Sequence, residues 1–223
     1  MSAKLLDCLE EYSLSGENPV AVVIWLHGLG ADYNDFVPVV PQLGLSKCVK
    51  FIFPNAPTRP ITINNGYVMR AWYDISDIDR IDASIDFDGI NESVAAIDAL
   101  VEQQIGMGFR SEQIILAGFS QGGVISYTAG LTSKHKLGGI IALSCYLPGI
   151  DKLIENSAPF HKTVPIFAAH GLHDSMVPYA IGSMAYQSLE SAGFKIDWSG
   201  YAMEHSLCIQ EIGDISQWIE HII

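Results

Sequence analysis

Hydrophobic positions fall along this chain in short runs separated by mixed segments. Six runs rich in β-branched residues read as strands: Val20–Leu26, Val49–Phe53, Ile114–Gly118, Gly139–Leu143, Val164–Ala169 and Ile196–Tyr201. Between them, Ile90–Ile105 sets Ile90, Val94, Ile97, Leu100, Val101 and Ile105 mostly three or four positions apart, with Glu92, Asp98, Glu102 and Gln103 elsewhere. That spacing predicts an amphipathic helix. Gly123–Leu131, Tyr179–Ala192 and Ile209–Ile222 follow the same pattern less clearly. Strands that alternate with helices, and mostly lack polar alternation of their own, predict a largely parallel central sheet flanked by helices on both faces. We read residues 1–223 as one such α/β domain. Its site is expected at the carboxyl ends of the strands.

Composition narrows the class. A chain of 223 residues, 49% hydrophobic and 17% charged, can bury one large core. Its unbroken apolar runs are far shorter than the roughly 20 residues that span a bilayer. Charge appears at Lys4 and Asp7, so no signal-peptide core is expected, and Ser2 stands where myristoylation needs glycine. A cytoplasmic address without stable membrane insertion follows as the expectation. Cys8, Cys48, Cys145 and Cys208 are too widely separated for a disulfide framework or a Cys-x-x-Cys metal pair. With 12 Lys and Arg against 25 Asp and Glu, the formal charge of −13 repels phosphate backbones and anionic headgroups. No nucleic-acid partner is expected. The same charge favours encounter with cationic partners, and homodimerisation is left open.

Candidate chemistry enters at Ile114-Ile115-Leu116-Ala117-Gly118-Phe119-Ser120-Gln121-Gly122-Gly123, which runs from an apolar strand through Gly-x-Ser-x-Gly into a helix beginning near Val124. As a bare pattern, Gly-x-Ser-x-Gly is often a turn and nothing more. Between strand and helix it becomes a nucleophile elbow. The strained turn exposes the Ser120 hydroxyl, the glycines avoid clashes, and the helix N-terminus offers free N–H groups to developing negative charge.

A serine hydroxyl is a weak nucleophile at neutral pH and needs a histidine base oriented by a carboxylate. Where such an elbow occurs, the chain order is Ser, then acid, then His. His27 precedes Ser120; His135, His161, His170 and His173 precede the carboxylate; His221 lies in a helix whose outer face is expected to be solvated. His205 remains, in the loop after the last strand. The carboxylate is Asp174, directly after Val164–Ala169, although a helix-capping or turn role there is an equal alternative on its own. Asp197 and Asp214 are rivals set within a strand and a helix. An oxyanion hole takes one donor from Gln121 N–H and the second from the glycine-bearing loop Trp25-Leu26-His27-Gly28-Leu29-Gly30-Ala31, where we assign Leu29 N–H. Each such donor is worth on the order of 10² to 10³ in turnover. His27 is read as holding this loop by hydrogen bonding.

These segments resemble the carboxylesterase and acyl-protein thioesterase, or lysophospholipase-like, branch of the α/β-hydrolases. The resemblance covers nearly the whole chain. It rests on Leu26-His27-Gly28-Leu29-Gly30, on Pro54-Asn55-Ala56-Pro57-Thr58-Arg59-Pro60-Ile61-Thr62, on Arg70-Ala71-Trp72-Tyr73-Asp74-Ile75, on the elbow, and on the Asp174 and His205 loops. It implies the α/β-hydrolase fold, Ser120, Asp174 and His205 as catalytic triad, Leu29 and Gln121 as oxyanion donors, and neither metal nor organic cofactor. It also implies a channel for one acyl chain with Trp72, Ile75 and Met176 in its walls. Glu204 departs from the family, which has a small or apolar residue before the histidine.

The segment from Ile75 to Phe87 spaces Ile75, Ile78, Ile81 and Ile85 among Asp77, Asp79, Asp82 and Asp86. It reads as an amphipathic flap packed on the body, with a lid over the acyl channel as the alternative. The function expected is two-step hydrolysis of carboxylic esters or thioesters: small esters, lysophospholipid or S-acylated protein. A non-catalytic binding protein on the same fold would need a broken triad, and all the expected positions are filled.

Overall fold

The computed structural model describes residues 6–76 and 85–223. Along the chain lie β1 (Cys8–Tyr12), β2 (Ala21–Leu26), β3 (Val49–Pro54), the hairpin strands β4 (Thr58–Ile61) and β5 (Tyr67–Arg70), then β6 (Ile114–Phe119), β7 (Gly139–Leu143), β8 (Ile166–Gly171) and β9 (Ile196–Tyr201). Seven of them form one sheet in the order β1-β3-β2-β6-β7-β8-β9. Every neighbouring pair is parallel except β1 with β3. This is the largely parallel sheet that the alternating pattern implied, in the α/β-hydrolase fold that the family resemblance implied.

Burial on both faces explains the apolar runs. Strands β2, β3, β7 and β8 are buried at every position and β6 at all but Phe119. The helices are α1 (Val40–Leu43), α2 (Phe87–Gly106), α3 (Gln121–Thr132), α4 (Ile150–Asn156), α5 (Tyr179–Ser191) and α6 (Ile209–Ile222). Val22, Ile24 and Leu26 of β2 face a core shared with Ile97 and Leu100 of α2, Val124 and Ile125 of α3, and Leu189 of α5. Val23 and Trp25 face the opposite core, with Val40 and Leu43 of α1 and Ile212, Ile215 and Trp218 of α6. Each such aliphatic side chain contributes about 1.5–3 kcal/mol of burial. No helix among the described residues is long and apolar enough to cross a membrane.

Three elements differ from the sequence expectation. Strand β1 has no apolar run because it is a partly exposed edge, where Glu10 pairs with Lys50 of β3 at 2.8 Å. The β4–β5 hairpin carries Pro60 and turns through Asn65 and Gly66, both at positive φ, in a segment whose strands are largely exposed. Helix α3 begins two residues before Gly123 and is buried from Gln121 to Leu131, so no polar face betrays its period. Of the flap, Ile78 and Ile81 with Asp77, Asp79 and Asp82 lie outside the described residues. At its ends, Ile75 and Ile85 form an antiparallel bridge. Asp86 caps α2 by accepting from Gly89 N at 2.9 Å.

Candidate active site

Ser120 joins β6 to α3 with φ 55° and ψ −121°. A non-glycine residue there stores about 1–3 kcal/mol of strain that the surrounding fold must over-determine. Two glycines make the turn sterically feasible. A Cβ at Gly118 would lie 2.3 Å from Gly122 O, and one at Gly122 would lie 2.5 Å from Leu26 O and 2.6 Å from His27 O. Ser120 N–H donates to Leu143 O at 2.8 Å, fixing the elbow against β7. Its hydroxyl lines an open cavity.

Two loops converge on the same sheet edge. Asp174, buried after β8, accepts on Oδ1 from Met176 N at 2.9 Å and Val177 N at 2.8 Å. Its Oδ2 lies 2.7 Å from His205 Nδ1. An ionised carboxylate only accepts, so Nδ1 carries the proton and Nε2 is left for the cavity. Gly171 lets the loops meet, because a Cβ there would sit 2.3 Å from Glu204 O and 2.6 Å from Met203 O. The His205 ring rests against Phe119 with centroids 4.7 Å apart. Glu204, by contrast, is exposed. No hydrogen bond joins Ser120 Oγ to His205 among the described residues. His170, also buried, donates from Nε2 to Val177 O at 2.8 Å, and burial lowers its pKa, so it is neutral.

The loop after β2 is held from three sides. His27 Nε2 accepts from Ala56 N at 3.1 Å, so its Nδ1 carries the proton and donates to Gly28 O at 2.7 Å. Burial lowers the His27 pKa, in keeping with this neutral tautomer. Trp72 Nε1 donates to His27 O at 2.9 Å, and Gly30 N, at φ 77°, donates to Arg70 O of the hairpin at 2.9 Å. Among the described residues neither Leu29 N–H nor Gln121 N–H has a partner within the chain, and both residues line the Ser120 cavity. The Gln121 side chain is fixed between Trp72 N (2.8 Å to Oε1) and Tyr73 O (2.7 Å from Nε2).

Trp72 therefore requires correction as a channel wall. It is fully buried behind the cavity, and its polar groups hold His27 O and Gln121 Oε1. Ile75 and Met176 do line the cavity, which encloses about 260 Å³ and also includes Ser120, His205 and Val177. A second cavity of about 650 Å³ adjoins it and shares Ile85, Tyr146 and Met176. Its other walls include Leu147, Ile150 and Ile181. Tyr73 and Tyr146 were not anticipated as cavity residues. The available signal was position, since Tyr146 follows β7 at the edge that carries Ser120. No cluster of metal-ligating side chains occurs among the described residues.

With this geometry in place, comparison with known proteins is decisive. Residues 13–223 match the family model described as phospholipase/carboxylesterase. The chain belongs to that family. Acyl-protein thioesterase 1 of Cryptococcus neoformans var. neoformans serotype D is 36% identical over 220 residues, covering 91% of this chain and 92% of that protein. Acyl-protein thioesterase 1 of Neurospora crassa is 39% identical over 209 residues, with 89% and 85% covered. Among solved structures, Arabidopsis thaliana SOBER1 superposes with TM-score 0.85 at 32% identity, over 90% of this chain and 98% of that one. Zea mays acyl-protein thioesterase 2, at 23% identity, shares the fold with TM-score 0.83. As a member of the phospholipase/carboxylesterase family, the protein is a carboxylic ester hydrolase.

Proposed function

We propose that this family member cleaves acyl esters and thioesters by covalent catalysis at Ser120. The observation that carries the reading is the His205 Nδ1–Asp174 Oδ2 contact of 2.7 Å beside a cavity lined by both Ser120 and His205. Ser120 Oγ attacks the acyl carbonyl while His205 Nε2 takes its proton. Leu29 and Gln121 N–H bind the developing oxyanion. Collapse of the tetrahedral intermediate expels alcohol or thiol, which receives the proton from His205, and water then releases the acid by the same steps in reverse roles. Asp174 holds the imidazole tautomer throughout.

The acyl chain runs past Ile75 and Met176 into the second cavity, whose largely apolar walls suit hydrocarbon. Relatives named acyl-protein thioesterase support S-acylated protein as a substrate, and the charge of −13 suits lipidated segments rich in Lys and Arg. The four cysteines are free thiols, in keeping with a reducing, cytoplasmic location. The test is a chain-length series of p-nitrophenyl esters with a palmitoyl-thioester peptide and a lysophospholipid alongside. Turnover of esters and thioester by the wild type, and of neither by Ser120→Ala, is expected. Retained activity in Ser120→Ala would overturn the mechanism, and a strong preference for the lysophospholipid would reassign the substrate.

A further inference from the structure

Two phenols meet beside the proposed reaction centre. Tyr73, in the loop after β5, and Tyr146, in the loop after β7, place their hydroxyls 2.9 Å apart. Both line the Ser120 cavity, and Tyr146 also lines the second cavity, standing with Ile85 and Met176 where the two adjoin. Ile75, Ile85, Met176 and Val177 make the surroundings of this pair largely apolar.

The pair carries two hydroxyl hydrogens and, among the described residues, makes one hydrogen bond. One hydrogen is left over in either orientation. Tyr73 is 2% exposed, so stranding its hydrogen would incur the desolvation penalty of a buried unpaired donor. Tyr146 is only partly buried and faces both cavities. The lower-energy arrangement has Tyr73 donating to Tyr146, which turns its own O–H into the cavity. Burial raises both phenol pKa values. Both are neutral donors at physiological pH.

We propose that Tyr146 is a specificity-determining residue whose free O–H selects acyl groups bearing an in-chain oxygen acceptor, an ether, hydroxyl or keto oxygen at the depth of the cavity junction. The proposal rests on the acyl-transfer reading above. A plain alkyl chain that displaces water from the junction leaves this donor unpaired. An oxygen at the right depth replaces the lost partner. Sites with a buried polar group discriminate on this asymmetry, because the unmade bond weighs more than the made one.

The test is an oxa scan: p-nitrophenyl esters of one chain length in which oxygen replaces a single methylene at successive positions from the γ carbon outward, beyond strong inductive influence on the carbonyl. Wild-type kcat/KM should peak at one position, about tenfold above its isomers. In Tyr146→Phe, the isomers should fall within about twofold of one another. Tyr73→Phe, which keeps the Tyr146 hydroxyl, should retain the peak. A flat scan in the wild type, or a peak that survives in Tyr146→Phe, overturns the proposal. Failure to hydrolyse any of these esters, the all-carbon parent included, would instead overturn the acyl-transfer reading.

Discussion

Glu211 lies in the first turn of α6 with no exposed surface. Burial pushes its pKa up from 4.5 to about 8, a rise that a hydrogen bond from the Cys208 backbone opposes and the charge of Asp214 adds to. Below pH 4.5 the group is protonated whether the chain is folded or not. Between there and pH 8 the unfolded chain releases a proton that the native protein keeps, so stability falls as pH rises. Above pH 8 the carboxylate is ionised in both states and the loss is complete. At about 1.4 kcal/mol per pH step, the full loss is about 5 kcal/mol. Glu211→Gln should be nearly neutral at pH 4.5 and stabilise progressively toward pH 8.5, by several kcal/mol. Urea unfolding of both proteins at intervals over that range measures the difference, from which other titrating groups cancel. Parallel stability curves would refute the reasoning, as would a variant advantage largest at acid pH.

Three further outcomes follow from the site. Asp174→Asn keeps the shape but can place an amide donor against His205 Nδ1, forcing the wrong tautomer; kcat should fall about 10⁴-fold, against esters of every chain length. Gly122→Ala would drive a Cβ to 2.5 Å from Leu26 O, so both thermal stability and ester turnover should drop, and an unchanged melting temperature would contradict the close packing of elbow and oxyanion loop. Trp72→Phe removes the donor to His27 O; kcat should fall roughly tenfold with folding weakened by about 2 kcal/mol. A loss in Trp72→Phe that depended on acyl-chain length would show instead that Trp72 touches substrate.

Most of the parallel sheet was legible because strands buried on both faces must be largely apolar, as β2 and β7 are throughout and β3 is but for Lys50. Helix α6 was read to the residue, since one face meets the sheet and the other meets water. Legibility failed where neither rule applies. Strand β1 and the β4–β5 hairpin are short and partly exposed, and their ordering comes from partners distant in sequence. At the site, the elbow and the loops that bring Asp174 to His205 were legible because backbone geometry demands Gly118 and Gly122 and because each loop follows a strand end. The role of Trp72 was not. Adjacency to Tyr73 and Ile75 says nothing about which side chain turns inward, and here the indole turns to His27 O while Ile75 meets the cavity. The Tyr73–Tyr146 contact joins residues 73 positions apart, which periodicity has no means of reporting.

The central claim is that Ser120 forms the acyl-enzyme. It is tested most directly by rapid acid quench during turnover of a p-nitrophenyl ester, followed by peptide mass mapping. The account predicts one acyl adduct, carried by Ser120, that accumulates in the wild type and is absent from Ser120→Ala. An adduct on any other residue, or full turnover with no adduct on Ser120 in a quench fast enough to capture a burst, would contradict it.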